Sequence, residues 1–316
     1  MEVLKIKNFR YSLFIVGLAM FLCLGFYNPT NFDKVFIENG YIESNIDNAE
    51  LKNNETQFEL DEPEISGSVE NLPWANDEDF LKAQSENETN VLMAAYCTVL
   101  KDPLPGEEYN VHLAASSLAG TVVLPEQVFS QNNTIGPYIE GKGYRKGPTY
   151  IGANLTTTIG GGVCKISSTL YNVSVLSNLE IVERYNHTMP VPYVPYGQDA
   201  TVAYGVKDFK FKNNTDFPIL IWAKGIENRL YMGVYGREEP PEVEWNHNIQ
   251  NVIEAPKYYK NNPELKEGEE RIIVEGMDGA MVKSWVTITD KDGTVKTKEL
   301  GTSRYIPMPY IIETNE

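Results

Sequence analysis

The sequence predicts an α+β fold: one mixed helix/strand domain followed by a small all-β module, with a transmembrane helix and a disordered stalk ahead of both. Three observations lead there. Helix-spaced apolar residues open the globular stretch near residue 91, strand-like runs with polar punctuation follow them, and the last part of the chain sets strand-length segments between Glu-Gly and Asp-Gly turns.

The N-terminal elements come first. Lys5, Lys7 and Arg10 form a basic flank over residues 1–10, and the charge-free run "YSLFIVGLAMFLCLGFY" follows from Tyr11 to Tyr27. That length is at the short end of the roughly 17 to 25 residues that span a bilayer. Positive charge before the run and acid after it place the flank in the cytoplasm and the bulk of the chain outside the cell, on a single-pass anchor. A cleaved signal peptide is the competing reading, but no small-x-small cleavage site follows the run. The bulky "MFL" before Cys23 argues against lipid attachment there.

Residues 28–90 carry sixteen acidic residues against three basic, most of the chain's net charge of −17. A segment so acidic and so poor in periodic apolar positions is expected to stay a largely disordered stalk, with a local helix allowed in "LPWANDEDFLKAQ". Its charge opposes nucleic-acid binding, so no nucleic-acid partner is expected.

The mixed domain spans residues 91–240. Val111, Leu113, Ala114 and Leu118 share one side of a helix over 110–119, and a turn at Gly120 leads to a short strand at 121–124. Ile166, Leu170, Val173 and Leu176 recur at helical spacing, which puts Cys164 at the N-terminus of a helix running to about Leu179. Strand-like runs follow in "LEIVERYNH" and "NRLYMGVYG"; "KDFKFKNN" alternates as a half-buried strand, with "FPILIWA" expected as its hairpin partner. The Pro-rich "REEPPEVEW" closes the domain, and residues 241–316 form the β module, with hairpins expected at its Gly turns.

The chemistry concentrates in "TTTIGGGVCKISSTLYN", residues 156–172. Glycines permit turns and close approaches that a β-carbon blocks, so Gly160, Gly161 and Gly162 suit a tight turn that presents Cys164. At a helix N-terminus the dipole and unpaired N–H groups favour a thiolate. Three cysteines cannot build a disulfide framework, although a Cys97–Cys164 bridge is an alternative use of both residues. No zinc-ligand spacing occurs, and no metal or cofactor is implied. A base for the thiol is available in His187, with Asp199 in the same stretch to orient it; a purely structural histidine is the other reading. Arg184 can bind a carboxylate or pair with Glu183 or Asp199. The backbone N–H groups from Gly162 to Lys165 are candidate oxyanion donors. Ser167 and Ser168 are equally suited to packing the helix or to touching a substrate.

Four linked motifs carry a resemblance: "VHLAASSLAGTVVLPEQVFSQNNTIGP", "GGGVCKISSTLYN", "ERYNHTMPVPYVPYGQDATVAYG" and "DFKFKNNTDFPILI". In this order, over about residues 92–236, they resemble the VanW domain. The C-terminal segment resembles the five-glycine wall-associated module that often follows it. The family takes its name from glycopeptide-resistance operons. What the resemblance implies is peptidoglycan L,D-transpeptidation, with Cys164 as the nucleophile that holds a stem peptide as a thioester; the residues read above then take their places, His187 and Asp199 as its catalytic partners and Gly161, Gly162, Lys165, Ser167, Ser168 and Arg184 as candidates for the substrate side. The implied partners are peptidoglycan stem peptides, with glycan contact by the C-terminal module. The chain departs from the family in having Lys165 where Gln is usual and "GPYI" (136–139) where "GPRT" is usual. Two other functions fit the same residues: a wall-binding scaffold in which Cys164 is an inherited core residue, and a carboxypeptidase in which water resolves the thioester.

Overall fold

The computed structural model describes residues 60–151 and 154–315. The anchor predicted over 11–27 and the stalk up to residue 59 lie outside the described residues, and among the described residues no helix is long and apolar enough to cross a membrane. The elements are, in order, β1 (Gly67–Ser68), α1 (Glu78–Asn87), β2 (Val91–Val99), α2 (Glu107–Leu118), β3 (Thr121–Val123), β4 (Val128–Ser130), α3 (Gln131–Ile135), β5 (Lys146–Ile151), β6 (Asn154–Ile159), α4 (Cys164–Leu176), β7 (Glu180–Glu183), β8 (Lys210–Lys212), β9 (Ile219–Ile226) and β10 (Arg229–Gly236). The all-β part adds β11 (Glu242–Ile253), β12 (Lys257–Asn261), β13 (Glu270–Val274), β14 (Gly279–Thr289), β15 (Val295–Tyr305) and β16 (Tyr310–Thr314). A mixed α+β domain is thus followed by an all-β module.

The mixed domain is built on an antiparallel sheet in the order β1-β2-β10-β9-β3. Side chains alternate across a strand, so each central strand feeds two faces. On β10, Leu230, Met232 and Val234 enter one core with α2 and α4, while Tyr231 and Tyr235 enter a second. On β9, Ile219, Ile221 and Ala223 face the first core and Leu220 the second. Burial on both faces explains why "ILIWA" and "LYMGVY" are continuous apolar runs with no polar alternation.

The second face is covered by residues 60–90, which corrects the expectation of disorder there. Trp74 is 1 % exposed and packs with Leu72 and Phe80 against the sheet, and its indole N–H donates to Tyr235 Oη at 2.8 Å. Asp77 caps α1 by accepting from the N–H groups of Asp79 and Phe80. A few large side chains suffice to order this acidic segment, because the sheet already offers an apolar face that would otherwise meet water.

Two pairing expectations are also corrected. β8 pairs with β4 and β7, whereas β9 pairs with β10 and β3, so "KDFKFKNN" and "FPILIWA" belong to different sheets. Of the Gly turns in the C-terminal module, the one at Asp292–Gly293 closes a hairpin, between β14 and β15. The turn at Gly268 leads into β13, which pairs with β16, and Gly279 opens β14, which pairs with β11 and β15. Local turn chemistry marks a reversal but does not choose the strand's partner.

The two parts share a core. Val286 and Ile288 of β14 join the cluster that holds α4, and Trp245 of β11 meets Tyr171 of α4 edge-on at 5.6 Å. Residues beyond 240 are therefore packed onto the mixed domain along α4, the helix that begins with Cys164.

Candidate active site

Cys164 is the first residue of α4, as the helical spacing predicts, and is partly exposed. The glycines before it meet protein atoms. Gly160 (φ +77) and Gly162 (φ +103) have left-handed backbone. A β-carbon on Gly161 would lie 2.1 Å from the carbonyl oxygen of Gly147 on β5. A β-carbon on Gly160 would strike Tyr138, and one on Gly162 would crowd Glu107. Buried Asn110 of α2 ties the turn down, donating to Gly161 O and Arg145 O at 2.9 Å each.

The turn also narrows the oxyanion donors. Val163 N–H donates to Gly160 O and Lys165 N–H to Gly162 O. Among the described residues the backbone N–H groups of Gly162 and Cys164 have no such acceptor, and they lie at the positive end of the helix dipole.

The structure brings Cys164, His187 and Asp199 together. The thiol sits beside the His187 ring, 3.4 Å from Thr201 Oγ1 and 3.7 Å from Val202 O. His187 Nδ1 meets Asp199 Oδ2 at 2.6 Å. Burial pushes the thiol pKa up, but the hydrogen bond and charge of His187, helped by Thr201, bring it down to about 7. Burial pulls His187 down, but Asp199 and Cys164 raise it to about 9. Each group shifts the other in the direction that favours a thiolate beside an imidazolium. Burial acts to raise the pKa of Asp199, yet His187 and Arg184 hold it below the usual carboxylate range.

The remaining sequence candidates have different places. The Lys165 ammonium, expected near the substrate, is buried in an ion pair with Glu107 and lies 4.5 Å over the Tyr193 ring. Ser167 Oγ donates to the carbonyls of Cys164 and Ala200, and Ser168 Oγ exchanges hydrogen bonds with both backbone groups of Ala200. Both hydroxyls are buried and pin Ala200 to α4, which is the packing role of the two open to them. Arg184 reaches Asp199 Oδ1 at 3.0 Å, the carbonyls of Gly197 and Asp199, and Ser303 Oγ at 2.8 Å. Four of its hydrogen bonds are made inside the protein, and of the two uses expected of Arg184 the structure shows the pairing with Asp199.

Cys97 and Cys164 are both free thiols. Cys97 lies on β2 facing the Trp74 core, whereas Cys164 packs against the α2–α4 core across the sheet, so the alternative bridge is not formed. Burial pushes the Cys97 thiol up to about 12, which leaves it inert near neutrality. Thr201, Glu107 and Asn110 are residues around the site that the sequence reading missed. Thr201 was within reach, two positions after Asp199 in a quoted motif; the others act across long chain separations that leave no local pattern.

Fold and site together define an α+β protein that presents a Cys–His–Asp cluster at a helix N-terminus beside an all-β module. Residues 106–235 match the family described as VanW like protein, and residues 246–313 match the G5 domain. The chain therefore carries a VanW-like domain followed by a G5 domain. It is 38% identical over 146 residues to "Uncharacterized protein YoaR" of Bacillus subtilis (strain 168), covering 46% of this chain and 48% of the relative. It is 30% identical over 159 residues to "Vancomycin B-type resistance protein VanW" of Enterococcus faecalis (strain ATCC 700802 / V583), covering 48% of this chain and 58% of that protein. The chain thus spans about half the length of the curated relatives it matches. Among solved structures, the "IgA1 Protease G5 domain structure" is similar at 26% identity over 26% of this chain and 98% of its own, with a TM-score of 0.15.

Proposed function

We propose that this protein is a cysteine acyltransferase of the L,D-transpeptidase type, acting on peptidoglycan stem peptides outside the cell membrane. One observation carries the reading: a thiol at a helix N-terminus lies beside a histidine whose ring and backbone a buried carboxylate holds in place. That arrangement is what nucleophilic thiol catalysis requires, and a scaffold has no use for it. The name of the Enterococcus relative points to vancomycin resistance, which supports a role at the target of that antibiotic.

In this reading Cys164 thiolate attacks the carbonyl of the diamino acid at the third position of a tetrapeptide stem. The tetrahedral oxyanion is met by the N–H groups of Gly162 and Cys164. As the C–N bond to the terminal D-alanine breaks, imidazolium His187 gives its proton to the leaving amine, and the acyl group remains as a thioester on Cys164. An amine from a neighbouring stem then attacks the thioester, His187 takes its proton, and the thiolate is regenerated with one new amide bond. Asp199 orients the ring throughout. Water in place of the amine turns the same chemistry into a carboxypeptidase.

The test is the mass of the Cys164 peptide after incubation with a tetrapeptide-stem fragment. The expected result is an adduct equal to the acyl tripeptide, with release of D-alanine, both absent in Cys164→Ala. Release of D-alanine by Cys164→Ala at the wild-type rate would overturn the reading. Chasing the adduct with a stem amine or with water alone separates transfer from hydrolysis.

A further inference from the structure

We propose that the G5 domain supplies a positioning residue to the cysteine site: Tyr305, at the end of β15, fixes through its hydroxyl the carboxylate of Asp199 that orients His187. The inference rests on the reading of Cys164 as nucleophile.

Asp199 is 1 % exposed and its two oxygens are filled from opposite sides. Oδ2 takes both donors from His187; Oδ1 takes Arg184 Nη2 at 3.0 Å and Tyr305 Oη at 2.5 Å. Tyr305 Oη in turn accepts from Gly197 N–H at 3.0 Å, so the hydroxyl hydrogen is directed at the carboxylate. Residues two apart on a strand share a face. Ser303, two positions before Tyr305, accepts from Arg184, the other donor to Asp199 Oδ1. One face of β15 therefore holds both groups that fix that oxygen, one directly and one through Arg184.

A buried tyrosine needs a partner for its hydroxyl, and a plain staple between domains would satisfy that need with any carbonyl. Here the partner is the carboxylate that bonds the imidazole next to the thiol. Burial and the charge of Asp199 push the Tyr305 pKa up, so it stays a neutral donor across the working range. Loss of this bond leaves Oδ1 held by Arg184 alone and frees the carboxylate to turn, which loosens the imidazole against Cys164. The VanW-like domain then depends on its G5 neighbour for a complete site, and displacement of β15 changes the state of the thiol.

The experiment uses the full chain as wild type, Tyr305→Phe and Cys164→Ala, each with its thermal unfolding recorded. Alkylation of Cys164 by iodoacetamide is followed against pH by mass on the Cys164 peptide, and acylation by the stem fragment is timed in parallel. In Tyr305→Phe, which keeps the ring and its packing, the Cys164 titration should move up towards the ordinary thiol value. Acylation at neutral pH should fall roughly 10- to 100-fold, the worth of one hydrogen bond to a charged group. A Tyr305→Phe protein with the wild-type alkylation profile and acylation rate overturns the proposal, whatever its melting temperature, and leaves Tyr305 a domain staple. Should that variant fail to fold, fluorotyrosine placed at 305 keeps the shape and strengthens the donor; an unmoved Cys164 profile then overturns the proposal as well. The nucleophile reading fails separately, and takes this inference with it, if wild-type Cys164 titrates as an ordinary thiol and takes no acyl group.

Discussion

His187 gives both its backbone N–H and its ring Nδ1 to a single oxygen of Asp199, each at 2.6 Å. The double contact fixes the rotation of the ring as well as its tautomer. With Nδ1 turned to the carboxylate, Nε2 is the nitrogen left for the thiol. The two residues are twelve apart in the chain, and the Pro-rich "MPVPYVPYG" between them makes the return that brings them face to face.

The first prediction concerns the direction of the thiol's shift. His187 lowers Cys164 to about 7 against the upward push of burial. In His187→Gln the largest lowering influence is gone and burial is opposed only by the contacts to Thr201 and Val202, so the pKa should rise to the ordinary value of roughly 8.5 or above. The thiolate fraction at pH 7 then falls from about half to a few per cent or less, and alkylation of Cys164 should slow by about 15-fold or more. The two rates should converge as pH rises past the variant's pKa. Superimposable alkylation profiles would remove His187 from the mechanism.

A second prediction follows from the buried charges around Asp199. Asp199→Asn leaves Arg184, whose side chain is 11% exposed, without its anion and sets an amide against donors. Breaking such a pair by removing one partner costs about 3–5 kcal/mol near neutral pH. The folded-state pKa of Asp199 lies below its unfolded value, so its stabilisation is present above the unfolded value and is lost as pH falls through the folded one. Urea unfolding should therefore show a gap between wild type and variant that is widest near pH 7 and narrows below about pH 4. A gap that does not change with pH would show that the carboxylate charge is not what stabilises the fold.

Legibility in the sequence followed chain distance. Cys164 was readable because three glycines, a thiol and helical spacing lie within a few residues, and His187 and Asp199 because one short motif holds both. The pairing of Arg184 with Asp199 was readable as one of its alternatives, since fifteen residues separate them, but its bond to Ser303 and the partner of Lys165 were not. Glu107 lies 58 residues before Lys165 and Ser303 lies 119 residues after Arg184, and a charge carries no mark of what will neutralise it. The layer over residues 60–90 was hidden for a related reason: its acidic composition outweighed Leu72, Trp74 and Phe80, the few side chains that fix it to the sheet. The continuous apolar runs of β9 and β10 were the available clue, since a sheet buried on both faces needs a second cover.

The third prediction separates Lys165 from the chemistry of its neighbour Cys164. Its ammonium is buried against Glu107, the side chains being 11% and 10% exposed. Lys165→Met should destabilise the protein by about 3–5 kcal/mol, because it leaves Glu107 buried without a counter-charge. Adding Glu107→Leu should recover most of that loss, since an apolar pair of similar size has no charge to desolvate. The check is chemical unfolding of the two variants. A double variant no more stable than Lys165→Met would mean that the ion pair does not set the cost.

The last prediction asks what the glycines before the thiol are for. If they exist to admit a substrate, an added methyl group at Gly161 should leave the fold alone and hinder only binding. The structure argues otherwise: the methyl would lie 2.1 Å from the Gly147 carbonyl oxygen, and backbone cannot rotate away as a flexible side chain can. Gly205 supplies the control. It has φ +75 but nothing within 4 Å of an added β-carbon, so Gly205→Ala carries the torsional cost alone, about 1–2 kcal/mol. Gly161→Ala has no positive φ to strain and should nonetheless cost more, about 3 kcal/mol or above, by forcing β5 away from the turn. Because the turn sets where α4 begins, the Cys164 alkylation profile should shift in the same variant, and Gly205→Ala should leave that profile in place. Equal unfolding free energies for the two variants, with stem-fragment binding lost only in Gly161→Ala, would return the glycine to the substrate side.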